Sequence, residues 1–279
     1  MPQFTFSWKA PTGESLFGQG WEPSPPVRAV MCLVHGHGEY SGRYTEVADR
    51  LNERGTAVIS FDLLGHGKSG GKRGHTPSYE AMMDQIAQLI EEAKRRYPDK
   101  PIFLFGHSMG GNFAVNYAIR RKPEISGLIL SAPWLRLAFE PSKFDLFLAK
   151  IMVNLYPSFT QSTKLDARNI SSLAEEVERY SNDPLIHDMM SPVLFLRTVD
   201  AGIYALEHAD QLALPTLIMH GSGDKITDFH ASKELAEKRP DLVTFTPWED
   251  LYHEMHHEAE REEVIRALAE WMRNRMQTV

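Results

Sequence analysis

The sequence predicts an α/β fold, with a mostly parallel central sheet flanked by helices and a helical insertion after the sixth strand. Three observations predict it. Short β-rich runs bounded by Gly and Pro alternate with longer stretches of 3.6-residue apolar period. The strand candidates are largely continuous apolar runs, as expected of strands covered on both faces. A single long gap, from Trp134 to about Ala213, breaks the alternation.

Taken in order, FTFSW and SLFGQGW read as an antiparallel hairpin. Then come AVMCLVH (29–35), AVISFD (57–62), PIFLFGH (101–107), GLILSAP (127–133), PTLIMHG (215–221) and LVTFTPW (242–248). Between them, YEAMMDQIAQLIEEAKRRY places Met82, Met83, Ile86, Leu89, Ile90 and Ala93 on one helical face. In the last helix Val264, Ile265, Leu268, Trp271 and Met272 do the same. Both stripes read as core-facing.

The gap holds an apolar segment, LRLAFEPSKFDLFLAKIMVNLYP, then an acidic helical one, SSLAEEVERY. Roughly 80 residues exceed an ordinary connection, so they are expected to form a helical cap. The expected division is a core of residues 1–133 and 214–279 with a cap of 134–213 over the strand ends, where open α/β sheets place their sites.

Composition bounds the function classes. At 279 residues, with 42% hydrophobic and 24% charged, the chain suits one α/β domain with an insertion. A net charge of −7 argues against an extended phosphate-binding surface, so nucleic acid is not an expected partner. The basic cluster Lys94 to Arg96 reads as a solvated helix face. The single cysteine, Cys32, lies inside an apolar strand and excludes an intramolecular disulfide. MPQFTFSWKAPTGE has neither the basic nor the apolar region of a secretory signal, and no run approaches the ~20 apolar residues of a membrane span. A cytoplasmic protein is expected, with peripheral membrane contact left open.

GHSMGG, Gly106 to Gly111, follows the strand PIFLF and precedes the helical pattern NFAVNYAIRR. This is G-x-S-x-G in the strand-turn-helix setting its mechanics require. The glycines allow a turn in which a side chain at position 106 or 110 would clash, and Ser108 projects into the cleft. A serine hydroxyl needs an adjacent base, itself oriented by a carboxylate, in the chain order Ser, acid, His. Asp224, in the loop GSGDKITD after the strand TLIMHG, is the preferred acid; Asp228 shares the loop and competes with it.

The base must follow the last strand. LYHEMHHE, residues 251–258, supplies His253 first. Its H-E-x-x-H spelling is also the zinc protease signature, but that site needs both histidines on an established helix. TFTPWEDLY before His253 reads as strand and turn, so no metal and no other cofactor is expected. His257 is expected to begin a solvent-facing helix. After the strand AVMCLV, the HGHG step suggests that the amide of His37 forms an oxyanion hole with that of Met109.

HGHGEYSGRY, FDLLGHGKSGG, GHSMGG, YSNDPLI, HGSGD and LYHEMHHE together resemble the monoacylglycerol lipase family of α/β hydrolases, also described as lysophospholipases. The match runs in order from about residue 29 to 260. The resemblance implies an α/β-hydrolase fold and a serine esterase that cleaves monoacylglycerols to glycerol and fatty acid through an acyl-enzyme. The alternative is a lysophospholipase or broad carboxylesterase with the same triad. Ser108, Asp224 and His253 would be the triad, with the His37 and Met109 amides as oxyanion hole. Glu39, Arg43 and His256 would line the glycerol end, and Tyr180 the narrow polar exit. The cap would face the membrane and hold an acyl tunnel.

The chemistry of a monoglyceride, one apolar tail and two free hydroxyls, fits that picture. Leu135, Phe139, Phe144, Phe147, Ile151 and Leu155 are candidates for the tunnel, or for the cap's own core. Glu39 is a candidate glycerol contact, or simply a partner that pins its loop to Arg43. The sequence departs from the family mainly in the cap, where only YSNDPLI matches. His37 is also bulkier than the small or apolar residue expected at an oxyanion position.

Overall fold

Strands buried along their whole length and joined by helices build the sheet that carries the site. The structure, a computed structural model, describes residues 4–276 apart from Pro11 and Pro25. The first three residues of the stretch read as lacking an export signal lie outside the described residues. Strands β1 (Phe4–Lys9) and β2 (Ser15–Trp21) pair antiparallel, as the hairpin reading expects. There follow β3 (Ala29–Val34), α1 (Thr45–Asn52), β4 (Thr56–Phe61), α2 (Tyr79–Arg96), β5 (Ile102–His107), α3 (Met109–Arg121) and β6 (Gly127–Ser131). The insertion then contributes α4 (Lys143–Leu155), β7 (Gln161–Ser162), α5 (Ala174–Asn182), β8 (Met189–Met190) and α6 (Pro192–Glu207). The chain closes with β9 (Thr216–Gly221), α7 (Phe229–Lys238), β10 (Val243–Trp248) and α8 (Arg261–Met276).

Eight strands form one sheet in the order β1-β2-β4-β3-β5-β6-β9-β10. From β4 to β10 every pairing is parallel, so all these strands end at the same edge. The sheet is an α/β-hydrolase fold, as the sequence predicts. In β3, Val30, Cys32 and Val34 pack toward α2 and α3, while Ala29, Met31 and Leu33 face α1 and α8. That alternation divides the core into two layers. Burial pushes the Cys32 thiol well up, so it behaves as a small apolar filler.

Local chemistry sets the helix ends. Ser78 caps α2 by accepting the Ala81 amide at 3.1 Å, and Ser191 caps α6 from Leu194 at 3.2 Å, with Pro192 in the first turn. Every residue of the apolar stripes expected in α2 and α8 is buried. The short α1 has no counterpart among the sequence expectations. Helix α6 packs on α3: the side-chain amides of Asn112 and Asn116 donate to the carbonyls of Thr198 and Ala201, each at 3.0 Å. The rest of the insertion stands over the strand ends. Among the described residues no helix is long and apolar enough to cross a membrane.

Candidate active site

The turn between β5 and α3 places Ser108 at the centre of the parallel edge. Its backbone takes φ 53° and ψ −118°, a strained conformation for a residue with a side chain. Both neighbours of the turn must be glycine. A Cβ at Gly106 would collide with the Gly110 carbonyl, and one at Gly110 with the carbonyls of Val34 and His35. The turn is tied down by the Ser108 amide donating to Ser131 (2.9 Å) and by its carbonyl accepting from Asn112 (3.0 Å) and Trp134 (2.9 Å). As the first residue of α3, Met109 presents one of the amides that a helix cannot satisfy internally.

Asp224, just after β9, meets His253, just after β10: His253 Nδ1 lies 2.7 Å from Asp224 Oδ2. The carboxylate is fully furnished with donors. Its Oδ1 accepts the amides of Ile226 (2.7 Å) and Thr227 (3.1 Å), and its Oδ2 accepts the Thr227 hydroxyl (2.8 Å) and faces His220 Nε2 (3.1 Å). Burial alone would raise the Asp224 pKa; interaction with His253 and hydrogen bonds from His220 and His253 hold it far below the usual carboxylate range. A carboxylate only accepts, so His253 carries its proton on Nδ1 and keeps Nε2 available as a base. For His253, burial disfavours the charged form, but Asp224, helped by Glu254 and Glu39, outweighs it and raises the pKa.

Asp228, the competing acid, is occupied elsewhere. It caps α7 by accepting the His230 amide at 2.8 Å and pairs with Arg136 at 3.0 Å. His220 and Thr227 escaped the sequence reading; strand periodicity marks one as core, and nothing marks the other.

Ser108 and His253 open onto one cavity of about 680 Å³. His37, Glu39, Tyr180 and Glu254 line its polar wall, and Leu148, Met152, Phe159, Ile170 and Phe195 are among its apolar lining. Of the residues suggested for an acyl tunnel, Phe139 is at the wall, while Phe144, Phe147, Ile151 and Leu155 point outward from α4. Leu135 is buried in the core.

The loop after β3 is shaped by Gly38, at φ +77°, where a Cβ would strike the carbonyl of His187. The His187 amide donates to Gly38 O at 2.9 Å, so the insertion is stitched to this loop. The ring of His37 packs edge-on against His66 and His187, 5.6 and 5.7 Å between centroids. Burial, with neighbouring His187 and His35, lowers the His37 pKa to about 3. The bulk that looked awkward at an oxyanion position is absorbed by this cluster of neutral imidazoles.

Glu39 lines the cavity and also pins its own loop. Its Oε1 accepts the Gly36 amide (2.6 Å) and the Tyr44 hydroxyl (2.7 Å), and its Oε2 accepts from Arg43 (3.2 Å). Arg43 is not in the cavity wall. It stands behind it, bidentate on Glu254 at 2.5 and 2.7 Å, with its guanidinium 4.9 Å from the Tyr180 ring centroid. His256 is likewise behind the wall, stacked on Tyr44 at 4.8 Å and edge-on to His107 at 5.1 Å.

His257 departs from expectation. It is buried rather than solvent-facing, its Nδ1 2.8 Å from Glu254 Oε2, because the chain makes one 3₁₀ turn at Met255–His257 and α8 starts only at Arg261. The H-E-x-x-H letters therefore do not lie on one helix. Glu254, His256 and His257 bring ligand-type atoms within 4.8 Å of one another, but both Glu254 oxygens already hold a guanidinium where a cation would stand.

A strained serine between strand and helix, a histidine on a buried aspartate and a shared cavity define a serine hydrolase on an α/β-hydrolase scaffold. Residues 25–260 match the family described as Serine aminopeptidase, S33, and the chain belongs to that family. An uncharacterized abhydrolase domain-containing protein of Dictyostelium discoideum is 34% identical over 267 residues, 95% of this chain; the chain spans only 28% of that relative's length. Monoglyceride lipase of Mus musculus is 31% identical over 269 residues, covering 95% of this chain and 88% of the mouse protein. The crystal structure of a monoacylglycerol lipase from Paleococcus ferrophilus superposes with a TM-score of 0.86 at 36% identity, covering 93% of this chain and 99% of that one.

Proposed function

We propose that the protein hydrolyses monoacylglycerols to glycerol and free fatty acid, with Ser108, His253 and Asp224 as its triad. One observation carries the reading: the cavity reached by Ser108 and His253 exposes mainly apolar surface, with Glu39 and Tyr180 among its polar groups, which suits one acyl tail and a small hydroxylic head. The likeness to monoglyceride and monoacylglycerol lipases over nearly the whole chain supports it.

In this mechanism Ser108 Oγ attacks the ester carbonyl while His253 Nε2 takes its proton. The His37 and Met109 amides stabilise the oxyanion, a contribution of about 3 kcal/mol per donor in comparable enzymes. Collapse expels glycerol, which receives the proton from His253. Water, activated by the same nitrogen, then releases the fatty acid. Glu39 and Tyr180, at the polar wall, are the side chains offered to the glycerol hydroxyls. Arg43 and His256 act from behind, the first through Glu39 and Glu254, the second by packing on Tyr44.

Residues 134–213 serve in this reading as a cap over a core of 1–133 and 214–279. Helix α4 turns Leu148, Ala149 and Met152 to the cavity and leaves Phe144, Phe147 and Leu155 at least 61% exposed. An exposed apolar stripe of this kind suits a peripheral lipid contact, through which substrate enters from a membrane.

The test is a comparison of turnover on 1-oleoylglycerol, triolein, lysophosphatidylcholine and short p-nitrophenyl esters. Preference for 1-oleoylglycerol is expected. Faster turnover of lysophosphatidylcholine would replace this reading with a lysophospholipase.

A further inference from the structure

We propose that Glu254, held by Arg43, is a positioning residue for hydrolysis, tying the segment that carries the base to the segment that carries an oxyanion-hole amide. The inference rests on the proposed roles of Ser108, His253 and the His37 amide.

The connection is continuous and short. Glu254 is the residue after His253, and its two carboxylate oxygens take both terminal nitrogens of Arg43 at 2.5 and 2.7 Å. Arg43 also donates to Glu39 Oε2 at 3.2 Å, and Glu39 Oε1 accepts the amide of Gly36, the residue before His37, at 2.6 Å. One guanidinium therefore spans two carboxylates, each anchored next to a catalytic element. The side chains of Arg43, Glu39 and Glu254 are only 8%, 3% and 3% exposed, so water screens the contacts weakly. A bidentate Arg–carboxylate pair also fixes orientation, because its two parallel bonds allow little rotation. On the other side, the Glu254 amide donates to Ile170 O at 2.8 Å, which seats the insertion on the same residue.

A plain fold staple would hold the chain together without touching the reaction. Glu254 differs because its charge acts on the base. The groups facing His253 are Asp224, His107, Glu254 and Glu39; the carboxylates among them favour its protonated form, which the transition state requires. Those facing Glu254 are Arg43 and His257, which hold it, and His253, His107, His256, Tyr44 and Tyr180 around them.

The experiment is steady-state kinetics of Glu254→Gln against wild type, on 1-oleoylglycerol and p-nitrophenyl acetate, across pH, with Ser108→Ala alongside. The expected result is a kcat lower by roughly 10- to 100-fold on both esters. KM should stay within about threefold, because the head-group contacts remain. The acid limb of kcat/KM should move to lower pH, and Glu254→Asp should return it toward the wild-type position. Wild-type kcat with an unmoved limb would overturn the proposal, as would a kcat loss with no limb shift that merely tracks a lower melting temperature. If Glu254→Gln does not fold, Glu39→Gln/Arg43→Gln/Glu254→Gln removes the guanidinium together with both carboxylates it neutralises, and wild-type turnover by that variant would overturn it equally. Turnover by Ser108→Ala would instead sink the underlying hydrolase reading.

Discussion

His253 Nδ1 and Asp224 Oδ2 lie 2.7 Å apart, both side chains being nearly fully buried. In the proposed mechanism the aspartate fixes the tautomer and stabilises the imidazolium that forms during attack. Asp224→Asn keeps the shape and loses the charge. A kcat drop of about 10⁴-fold with an intact circular dichroism spectrum is expected, as for an equivalent change in a serine protease. A drop below tenfold would remove Asp224 from the triad.

The same pair sets the pH dependence of turnover. As the proposed base, His253 works only when neutral, and its pKa is raised from 6.5, since the carboxylates around it outweigh the effect of burial. Activity therefore grows as pH rises through that elevated value. The acid limb of kcat/KM on a p-nitrophenyl ester should lie above pH 6.5; a limb below pH 6 would mean that another group governs it.

Stability should respond to pH in the same sense, through different groups. Burial lowers the pKa values of His37 to about 3 and His187 to about 4, and holds those of His66, His107 and His256 well below 6.5. On unfolding these groups take up protons, so their contribution is complete above the unfolded value of about 6.5 and is lost as pH falls toward the folded values. His253 alone runs the other way and is outnumbered. Each depressed group adds a slope of up to about 1.4 kcal/mol per pH unit in that window. Urea midpoints should fall distinctly between pH 7 and pH 5; equal midpoints would contradict the neutral cluster.

Phe144, Phe147 and Leu155 on α4 give a prediction that separates lipid contact from chemistry. Replacing all three with Ser should weaken flotation with phosphatidylcholine vesicles and slow hydrolysis of vesicle-borne 1-oleoylglycerol. Turnover of dissolved p-nitrophenyl acetate should stay near wild type. Unchanged flotation would assign the stripe another role.

Gly38 tests the oxyanion loop. At φ +77° a Cβ meets the His187 carbonyl, so Gly38→Ala must displace either the loop or the insertion. A cost of about 1–3 kcal/mol in unfolding free energy is expected. Hydrolysis of every ester should suffer, through the neighbouring His37 amide. Wild-type kcat would show that this amide does not bind the oxyanion.

Much of this architecture was legible because covered strands and amphipathic helices leave strong periodic signals. β3, β5 and β9 appear as apolar runs, and GHSMGG announces the Ser108 elbow by its glycines. Helix α1 was missed because eight residues with few apolar positions give a weak pattern. The partners of Asp224 and Glu254 were illegible for another reason. His220 sits in a strand and Arg43 lies 211 residues from Glu254, so no local spacing links them. His257 departs from the expectation because its neighbours resemble a helix start, while the ring is held inward by Glu254 three residues earlier and by Arg43 from the far end of the chain.

The stitch between Gly38 and His187 also bears on how such a chain can be re-engineered. Because His187 at the far end of the insertion is bonded to Gly38 in the loop that holds the proposed oxyanion amide, residues 183–190 group, in the proposed mechanism, with the catalytic loops. Grafting a foreign lid by cutting near Pro141 and Ile170 keeps that seam, whereas cutting at 134 and 213 exchanges it. A change of acyl preference is thus separable from the reaction machinery only inside the seam, and the natural unit of recombination is smaller than the insertion itself.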